Sequence, residues 1–146
     1  MSAKTFVDTN ILVYVRDNGQ PAKQAVARRW MAHLWERRTG RLSLQVLQEY
    51  YVAVTAKLKP GLPFALARDD VRNLALWNPL ATDIHLLETA WALADRYGFS
   101  WWDAQIVAAA RRSGCDILLT EDLHNGQNID GLEIVNPFAQ GAPQPD

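Results

Sequence analysis

Cysteine is almost absent from this sequence, since Cys115 is the only one in 146 residues. A single thiol cannot form a disulfide within the chain. Histidine is also scarce: His33, His85 and His124 are the only ones, and without a second cysteine the sequence does not favour a structural zinc site. We therefore expect Cys115 to be a buried thiol beside a strand.

Long hydrophobic runs are absent as well. The apolar stretches are interrupted well before the ~20 residues that cross a bilayer. The N-terminus lacks the basic segment followed by an apolar segment that marks a secretory signal. The sequence therefore predicts a cytoplasmic protein with no membrane partner.

Internal repeats and low-complexity linkers are also missing. With 49% hydrophobic and 21% charged residues, the chain has the composition of one globular domain. We place this domain at residues 1–138. The remaining residues, 139–146, are rich in Pro, Gly and Gln and predict a flexible tail.

The net charge of −1 conceals an uneven distribution. Residues 1–41 hold eight Lys and Arg against three acids, a net charge of +5, while the remainder carries −6. A basic first third permits a surface that faces nucleic acid, but a solvated helix face would have the same composition.

Short buried strands alternate with amphipathic helices along the chain. Strands are predicted at KTFVD, RLS, DILLT and LEIV, and one helix is predicted to open with Thr9 or Asn10 as its N-cap. Further helices are predicted at 21–38, 44–59, 64–77, 83–97 and 101–113. This order indicates an α/β fold, a three-layer sandwich with a central, mainly parallel sheet flanked by helices. Ligands of such folds bind beyond the carboxyl ends of the strands.

Four acids stand where a stable core would not place them. Asp8 ends the first predicted strand, and Asp122 follows DILLT by two residues. Glu49 and Asp103 share helix faces with small apolar residues at the +3, +4 and +7 positions. Ionised carboxylates on apolar faces cost several kcal/mol unless they are paired or bind a metal.

A divalent cation would remove this conflict. Ligands that are all oxygen favour Mg²⁺ or Mn²⁺ over zinc or copper. Because Mg²⁺ commonly bridges protein carboxylates and substrate phosphates, the sequence predicts a phosphate ester as the substrate.

Each acid also has an interpretation that needs no metal. Asp8 could favour the positive end of the following helix, and Asp122 could cap a turn in TEDLHNG. Asp103 follows Ser100 by three residues, which is a capping-box pattern. Glu49 could pair with a distant arginine, and the candidates are Arg111 and Arg112.

Neighbouring polar residues supply a supporting set. Thr9, Asn10 and Thr120 could orient ligands and water molecules. Glu121 lies beside Asp122, but alternation along the chain predicts that it points elsewhere. Whether Glu121 joins Asp122 at the site is left open.

Four motifs together resemble the PIN domain, in particular the ribonuclease toxins of bacterial VapBC toxin–antitoxin systems. They are FVDTNILVY, SLQVLQEYY, WWDAQIVAAA and ILLTEDL, in this order. The resemblance extends from Phe6 to Phe138 and includes the closing EIVNPF.

The resemblance implies that Asp8, Glu49, Asp103 and Asp122 form an acidic catalytic site that holds Mg²⁺ or Mn²⁺. It implies supporting roles for Thr9, Asn10 and Thr120, and the family's T-x-D pattern selects Asp122. Toxins of this kind cleave single-stranded regions of RNA, are commonly homodimers and are inhibited by a cognate antitoxin protein. Basic residues of the first third become candidates for contact with the RNA backbone, namely Arg16, Lys23, Arg28, Arg29 and Arg41.

Two other functions compete with an endoribonuclease toxin. A module of this fold could bind protein or nucleic acid without turnover, and a nuclease of this family could act on DNA. Nothing in the sequence separates these substrates. The adjacent Trp101 and Trp102 could stack on bases, but core packing or an interface would explain them equally.

Overall fold

A five-stranded sheet lies at the centre of the computed structural model, which describes residues 3–145. Its strands are β1 (Thr5–Val7), β2 (Gly40–Arg41), β3 (Ile117–Leu119), β4 (Asn128–Ile129) and β5 (Leu132–Val135). They are arranged in the order β2-β1-β3-β5-β4, and every pairing is parallel except that of β4 with β5. The predicted mainly parallel sheet is confirmed.

Six α-helices flank the sheet within the described residues. They are α1 (Thr9–Arg16), α2 (Pro21–Arg37), α3 (Leu44–Val52), α4 (Phe64–Leu74), α5 (Ile84–Tyr97) and α6 (Trp101–Arg112). A π-helical segment (Ala53–Lys57) extends α3, and a 3₁₀ turn (Ala75–Trp77) extends α4. Among residues 3–145, no helix has the length and apolar character needed to cross a membrane.

Burial of the strands shows why helices lie on both faces of the sheet. Phe6, Val7, Leu118 and Leu119 are all fully buried, although successive strand residues point to opposite faces. Both faces of the sheet must therefore be packed against helices. One of these helices is α6, whose residues 104–110 are all buried. Four of them are alanines, whose small side chains allow α6 to pack closely against its neighbours.

The pairing of β1 with β3 decides where the site lies. Val7 stands beside Leu119 in the parallel register. The residues that follow, Asp8 and Thr120, therefore leave the sheet at the same edge. A backbone hydrogen bond from the Asp8 N–H to the Leu119 carbonyl, 3.1 Å long, carries the ladder one step further.

The start of α1 differs from the prediction. Asp8 is the N-cap, and neither Thr9 nor Asn10 takes that position. The Asp8 backbone is extended, so its side chain can turn back and accept a hydrogen bond from the Thr9 N–H. Asp8 therefore both follows β1 directly and starts α1.

The predicted helix at 44–59 does not keep one geometry. Its α-helical part ends at Val52, and the π-helical segment follows. Within that segment, the Thr55 hydroxyl donates to the Tyr51 carbonyl at 2.7 Å, a back-bond that bends helices.

Strand β4 was missed. It forms a hairpin with β5 through Asp130 and Gly131, whose φ angles are 50° and 96°. An Asp-Gly pair between apolar residues is a strong hairpin signal, so the sequence did contain the information. Cys115 is buried two residues before β3, as predicted.

Candidate active site

Asp8 lies just beyond the C-terminal end of β1, at the acidic edge of the sheet, which is where the chain leaves β1 and β3, and is only 6% exposed. One carboxylate oxygen, Oδ1, accepts a hydrogen bond from the Thr9 N–H at 2.7 Å. The other, Oδ2, accepts from the Thr120 hydroxyl at 2.8 Å and from the Asn10 amide at 3.4 Å. These donors fix the carboxylate in one orientation.

Burial raises the pKa of Asp8 to about 7. Hydrogen bonds from Thr120 and Thr9 oppose this shift, while the negative charges of Asp122 and Glu49 add to it. Asp8 is therefore poised between its two protonation states at neutral pH, and a nearby cation would favour the ionised state.

The loop after β3 brings Asp122 to Asp8. Thr120 is fully buried, and its hydroxyl accepts a hydrogen bond from the Asp122 N–H at 3.1 Å. The same hydroxyl donates to Asp8, so one side chain contacts both acidic residues. These contacts are compatible with the supporting role that the sequence suggested for Thr120, which stays a prediction.

Asn10 lies between the two carboxylates. Its amide Nδ2 is 3.0 Å from Asp122 Oδ2, 3.3 Å from Thr120 Oγ1 and 3.4 Å from Asp8 Oδ2. Its Oδ1 accepts from the Glu121 N–H at 3.3 Å. Asn10 thus offers partial positive charge where two negative groups approach each other.

Glu49 and Asp103 reach the same region from two helices. Glu49 lies on α3 and accepts a hydrogen bond from the Gln45 amide at 3.0 Å. Asp103 lies in the first turn of α6, where its N–H donates to the Ser100 hydroxyl at 3.2 Å. Ser100 is therefore the N-cap of α6, as predicted, and Asp103 lies in the first turn of the same helix.

The four acids share one electrostatic environment. Partial desolvation of its carboxyl group raises the pKa of Glu49, and the charges of Asp103 and Asp122 raise it further, while Gln45 and Lys57 oppose the shift. Burial also raises the pKa of Asp103, with the charge of Asp122 adding to it. Asp122 thus acts on the other three acids, and each of them would ionise more readily beside a cation.

One premise about Glu49 was wrong. The sequence placed it on an inward apolar face, but Glu49 is exposed and Val52, three residues on, is 50% exposed. This part of α3 lines a groove open to solvent, because only one side of the helix packs against the core. The suggested pairing with an arginine is also wrong: Arg112 pairs with Asp83 at 2.6 Å and Arg111 with Asp130 at 3.4 Å.

The donor set suits a hard divalent cation. Within residues 3–145, none of the four acids takes part in an ion pair. The buried Thr9 hydroxyl has no hydrogen-bond partner, so one more oxygen is free. No three Asp, Glu, His or Cys side chains of this part of the chain stand close enough to form a ready-made cage. Mg²⁺ needs none, since one or two carboxylates and several waters satisfy it.

Two basic residues proposed for RNA contact are engaged elsewhere. Arg16 pairs with Asp70 at 2.6 Å, and Lys23 pairs with Glu121 at 2.9 Å. Glu121 also accepts a hydrogen bond from the Tyr14 hydroxyl, so its side chain points to α1 and α2. Sequence reasoning missed this cluster because no spacing rule connects residues about 100 positions apart.

Comparison with known proteins places the chain in a family. The PIN domain model matches residues 5–125. Among solved structures, a toxin–antitoxin complex from Klebsiella pneumoniae has a TM-score of 0.63 and 23% identity, over 92% of this chain and 98% of that one. No curated protein sequence matches.

A second solved structure has the same fold. It is Mycobacterium tuberculosis VapC20, a sarcin–ricin loop cleaving toxin, with a TM-score of 0.61 and 24% identity. The match covers 78% of this chain and 86% of that one. The mainly parallel sheet with its acidic edge and the match over most of the sequence agree, and the chain belongs to the PIN domain family.

Proposed function

We propose that this chain is a Mg²⁺- or Mn²⁺-dependent endoribonuclease that hydrolyses RNA phosphodiester bonds, and that it is the toxin of a type II toxin–antitoxin system. One observation carries the proposal: four acids, one directly after β1, one each on α3 and α6, and one in the loop after β3, lie near one another and have no ion-pair partner among residues 3–145. The negative charge of Asp122 helps to raise the pKa of each of the other three. The fold shared with a toxin that cleaves the sarcin–ricin loop supports RNA as the substrate.

Asp8, Glu49, Asp103 and Asp122 would hold the cation and are the catalytic residues of this proposal. Bound there, the cation would supply a Lewis acid that stabilises charge on the phosphate and lowers the pKa of the attacking water. Because Asp8 must be ionised to bind a cation, affinity for the cation should rise with pH up to about 7.

The supporting residues fix the geometry of these acids. Thr120 and the Thr9 N–H hold Asp8 in one orientation, and Asn10 ties Asp8 to Asp122. Their hydrogen bonds preorganise the carboxylates, so little rearrangement accompanies catalysis.

Two protein partners belong to the proposal. The fold similarity to a chain of a toxin–antitoxin complex supports a cognate antitoxin that inhibits this chain. We also propose a homodimer, which light scattering of the purified protein would test.

Cleavage of RNA by the purified chain tests the function. We expect discrete cuts in a structured RNA pool with Mg²⁺ or Mn²⁺, and none with chelator or with the Asp8→Asn variant. Asparagine keeps the N-cap, so the variant should fold. Asp69→Asn, at an exposed pair on α4, is the matched control and should cut normally.

Two results would contradict the proposal. Equal cleavage by Asp8→Asn would assign the activity to a contaminant or to another site. Cleavage of single-stranded DNA with no cleavage of RNA would show that the substrate is DNA rather than RNA.

A further inference from the structure

Two adjacent acids at the end of β3 have different surroundings. Asp122 accepts a hydrogen bond from Asn10 at the acidic site, whereas Glu121 accepts from Tyr14 and Lys23. The site already described makes no use of the Glu121 carboxylate. Its contacts therefore need their own explanation.

The Glu121 side chain is held by two donors that also contact each other. Tyr14 Oη is 2.5 Å from Glu121 Oε1, Lys23 Nζ is 2.9 Å from Glu121 Oε2, and Lys23 Nζ is 3.2 Å from Tyr14 Oη. The Lys23 ammonium also lies 4.9 Å from the centre of the Tyr14 ring and 5.4 Å from that of Phe138. We name Tyr14, Lys23 and Glu121 the anchor cluster.

The anchor cluster connects to the acidic site through α1. Asn10 and Tyr14 are four residues apart and so lie on one face of this helix. Asn10 Oδ1 accepts from the Glu121 backbone N–H, and the Tyr14 hydroxyl donates to the Glu121 side chain. Glu121 is thus fixed at two points along one helical turn, and Asp122 follows it directly.

The exposure of the ion pair argues that stability is not its main purpose. The side chains of Lys23 and Glu121 are 37% and 20% exposed. Ion pairs this accessible to water contribute little to folding because solvent screens them. They can still select one orientation of a loop, since orientation depends on geometry rather than on net stability.

We propose that Glu121 is a positioning residue: anchored by Lys23 and Tyr14, it sets the loop at 120–122 so that Asp122 and Asn10 face Asp8. This inference rests on the proposed function. Glu121 does not touch the substrate or the cation and acts through its neighbours. The two adjacent acids then have different roles: Asp122 would bind the cation, and Glu121 would fix the loop that carries Asp122.

The Glu121→Ala variant tests this role. We expect kcat to fall about 10- to 100-fold with little change in KM, and Mn²⁺ affinity measured by calorimetry to fall by a similar factor. Its unfolding should remain cooperative, with a melting temperature well above that of the assay. Glu121→Gln keeps the shape and an acceptor for Tyr14, so it should recover part of both losses. Asp69→Ala, which also breaks an exposed ion pair, should match the wild type.

Lys23 allows a second test by a double-mutant cycle. If Lys23 acts only through Glu121, the single variant Lys23→Met should lower kcat. In the double variant, Lys23→Met should then cause no further loss beyond that of Glu121→Ala. If Lys23 instead contacts RNA, Lys23→Met should weaken RNA binding in both backgrounds and reduce the salt dependence of binding. The second result would refute the role of Lys23 in anchoring Glu121.

Other outcomes are separable from failure of the proposed function. Wild-type kcat and Mn²⁺ affinity in Glu121→Ala would overturn the positioning role and leave the nuclease intact. Loss of cooperative unfolding in Glu121→Ala would make the role structural. A wild-type protein that binds Mn²⁺ without cutting RNA would refute the nuclease, and Mn²⁺ affinity in Glu121→Ala would still decide the positioning. A wild-type protein that neither cuts RNA nor binds Mn²⁺ would refute both.

Discussion

Asp8 has two roles that act on its ionisation in opposite directions. As the N-cap of α1 it accepts a hydrogen bond from the Thr9 N–H, which favours the carboxylate. As a buried group it is pushed toward the neutral acid, and burial is the larger influence. The metal-free protein should therefore show this conflict in its stability.

We expect ionisation of Asp8 to lower stability as pH rises. Its pKa is about 7 when folded against 3.8 as a reference, so the folded protein holds the proton more tightly than the unfolded chain. The free energy of unfolding should fall between about pH 4 and pH 7, by at most about 4 kcal/mol, and then level off. The Asp8→Asn variant should not show this fall in the free energy of unfolding, because asparagine does not ionise.

Urea unfolding in the presence of chelator measures the effect. The variant should gain stability over the wild type at pH 8 and gain little at pH 4.5. A difference that is equal at both pH values would show that Asp8 does not titrate in this range.

Trp102 is the tryptophan best placed to meet a substrate. It is 63% exposed beside a groove of about 290 Å³ that Gln45, Gln48 and Glu49 also line. Trp101, by contrast, stacks on Trp91 at 5.9 Å. Of the two stacking candidates in the sequence, Trp102 is the more exposed, and it lines the same groove as Glu49.

Replacing Trp102 should weaken binding of single-stranded RNA. Loss of one stacked base costs about 1 to 3 kcal/mol, so Trp102→Ala should raise the dissociation constant about 5- to 150-fold. Trp102→Phe should keep most of the affinity. Titration of a labelled oligonucleotide against Asp8→Asn protein avoids cleavage during the measurement. Unchanged affinity in Trp102→Ala would remove the stacking role.

Helices α1, α3 and α4 are joined by one polar cluster. Asp70 accepts hydrogen bonds from the Tyr50 hydroxyl at 2.5 Å and from Arg16 at 2.6 and 2.9 Å. Tyr50 is adjacent to Glu49, so the cluster also fixes the part of α3 that carries this candidate active-site acid. Breaking it should loosen three elements together.

Asp70→Ala should destabilise the fold by about 2 to 3 kcal/mol, because it leaves Arg16 and Tyr50 without their acceptor. The value is below that of a fully buried pair, since Arg16 is 32% exposed. Asp69→Ala is the neighbouring control: its pair with Arg72 is 66–71% exposed and should change stability by under about 0.5 kcal/mol. Equal unfolding midpoints for the two variants would contradict this account.

Most elements were predictable because local signals agree with tertiary packing. Asp83 and Ser100 cap α5 and α6 as expected, and Gly98 ends α5 with a φ of 74°. The break in α3 was not predictable, because its apolar period continues through Lys57 while the backbone changes geometry. The N-cap of α1 was misplaced because Asp8 competes with two other good capping residues.

The site was predictable only where chain direction determines position. Asp8 and Thr120 follow neighbouring parallel strands, so strand order alone brings them together. The exposure of Glu49 and the contacts of Glu121 depend on how helices pack, and no residue spacing encodes that. The metal-binding role of the four acids stays a prediction.

Charge in the described molecule is divided between paired and unpaired acids. Six basic residues form ion pairs with acids outside the candidate site: Arg16, Lys23, Arg72, Arg96, Arg111 and Arg112. The basic excess of residues 1–41 is thus partly neutralised within the fold. The acids at the sheet edge receive no such compensation among residues 3–145, so a cation from solution is the natural complement.

Calorimetric titration with Mn²⁺ tests the central claim most directly, because it needs neither the RNA target nor turnover. The wild type should bind Mn²⁺, Asp8→Asn and Asp122→Asn should each lose more than about tenfold in affinity, and Asp69→Asn should match the wild type. The gain in affinity with pH should end near pH 7. Equal binding by all four proteins, or no binding by the wild type, would contradict the assignment of these acids to a metal site.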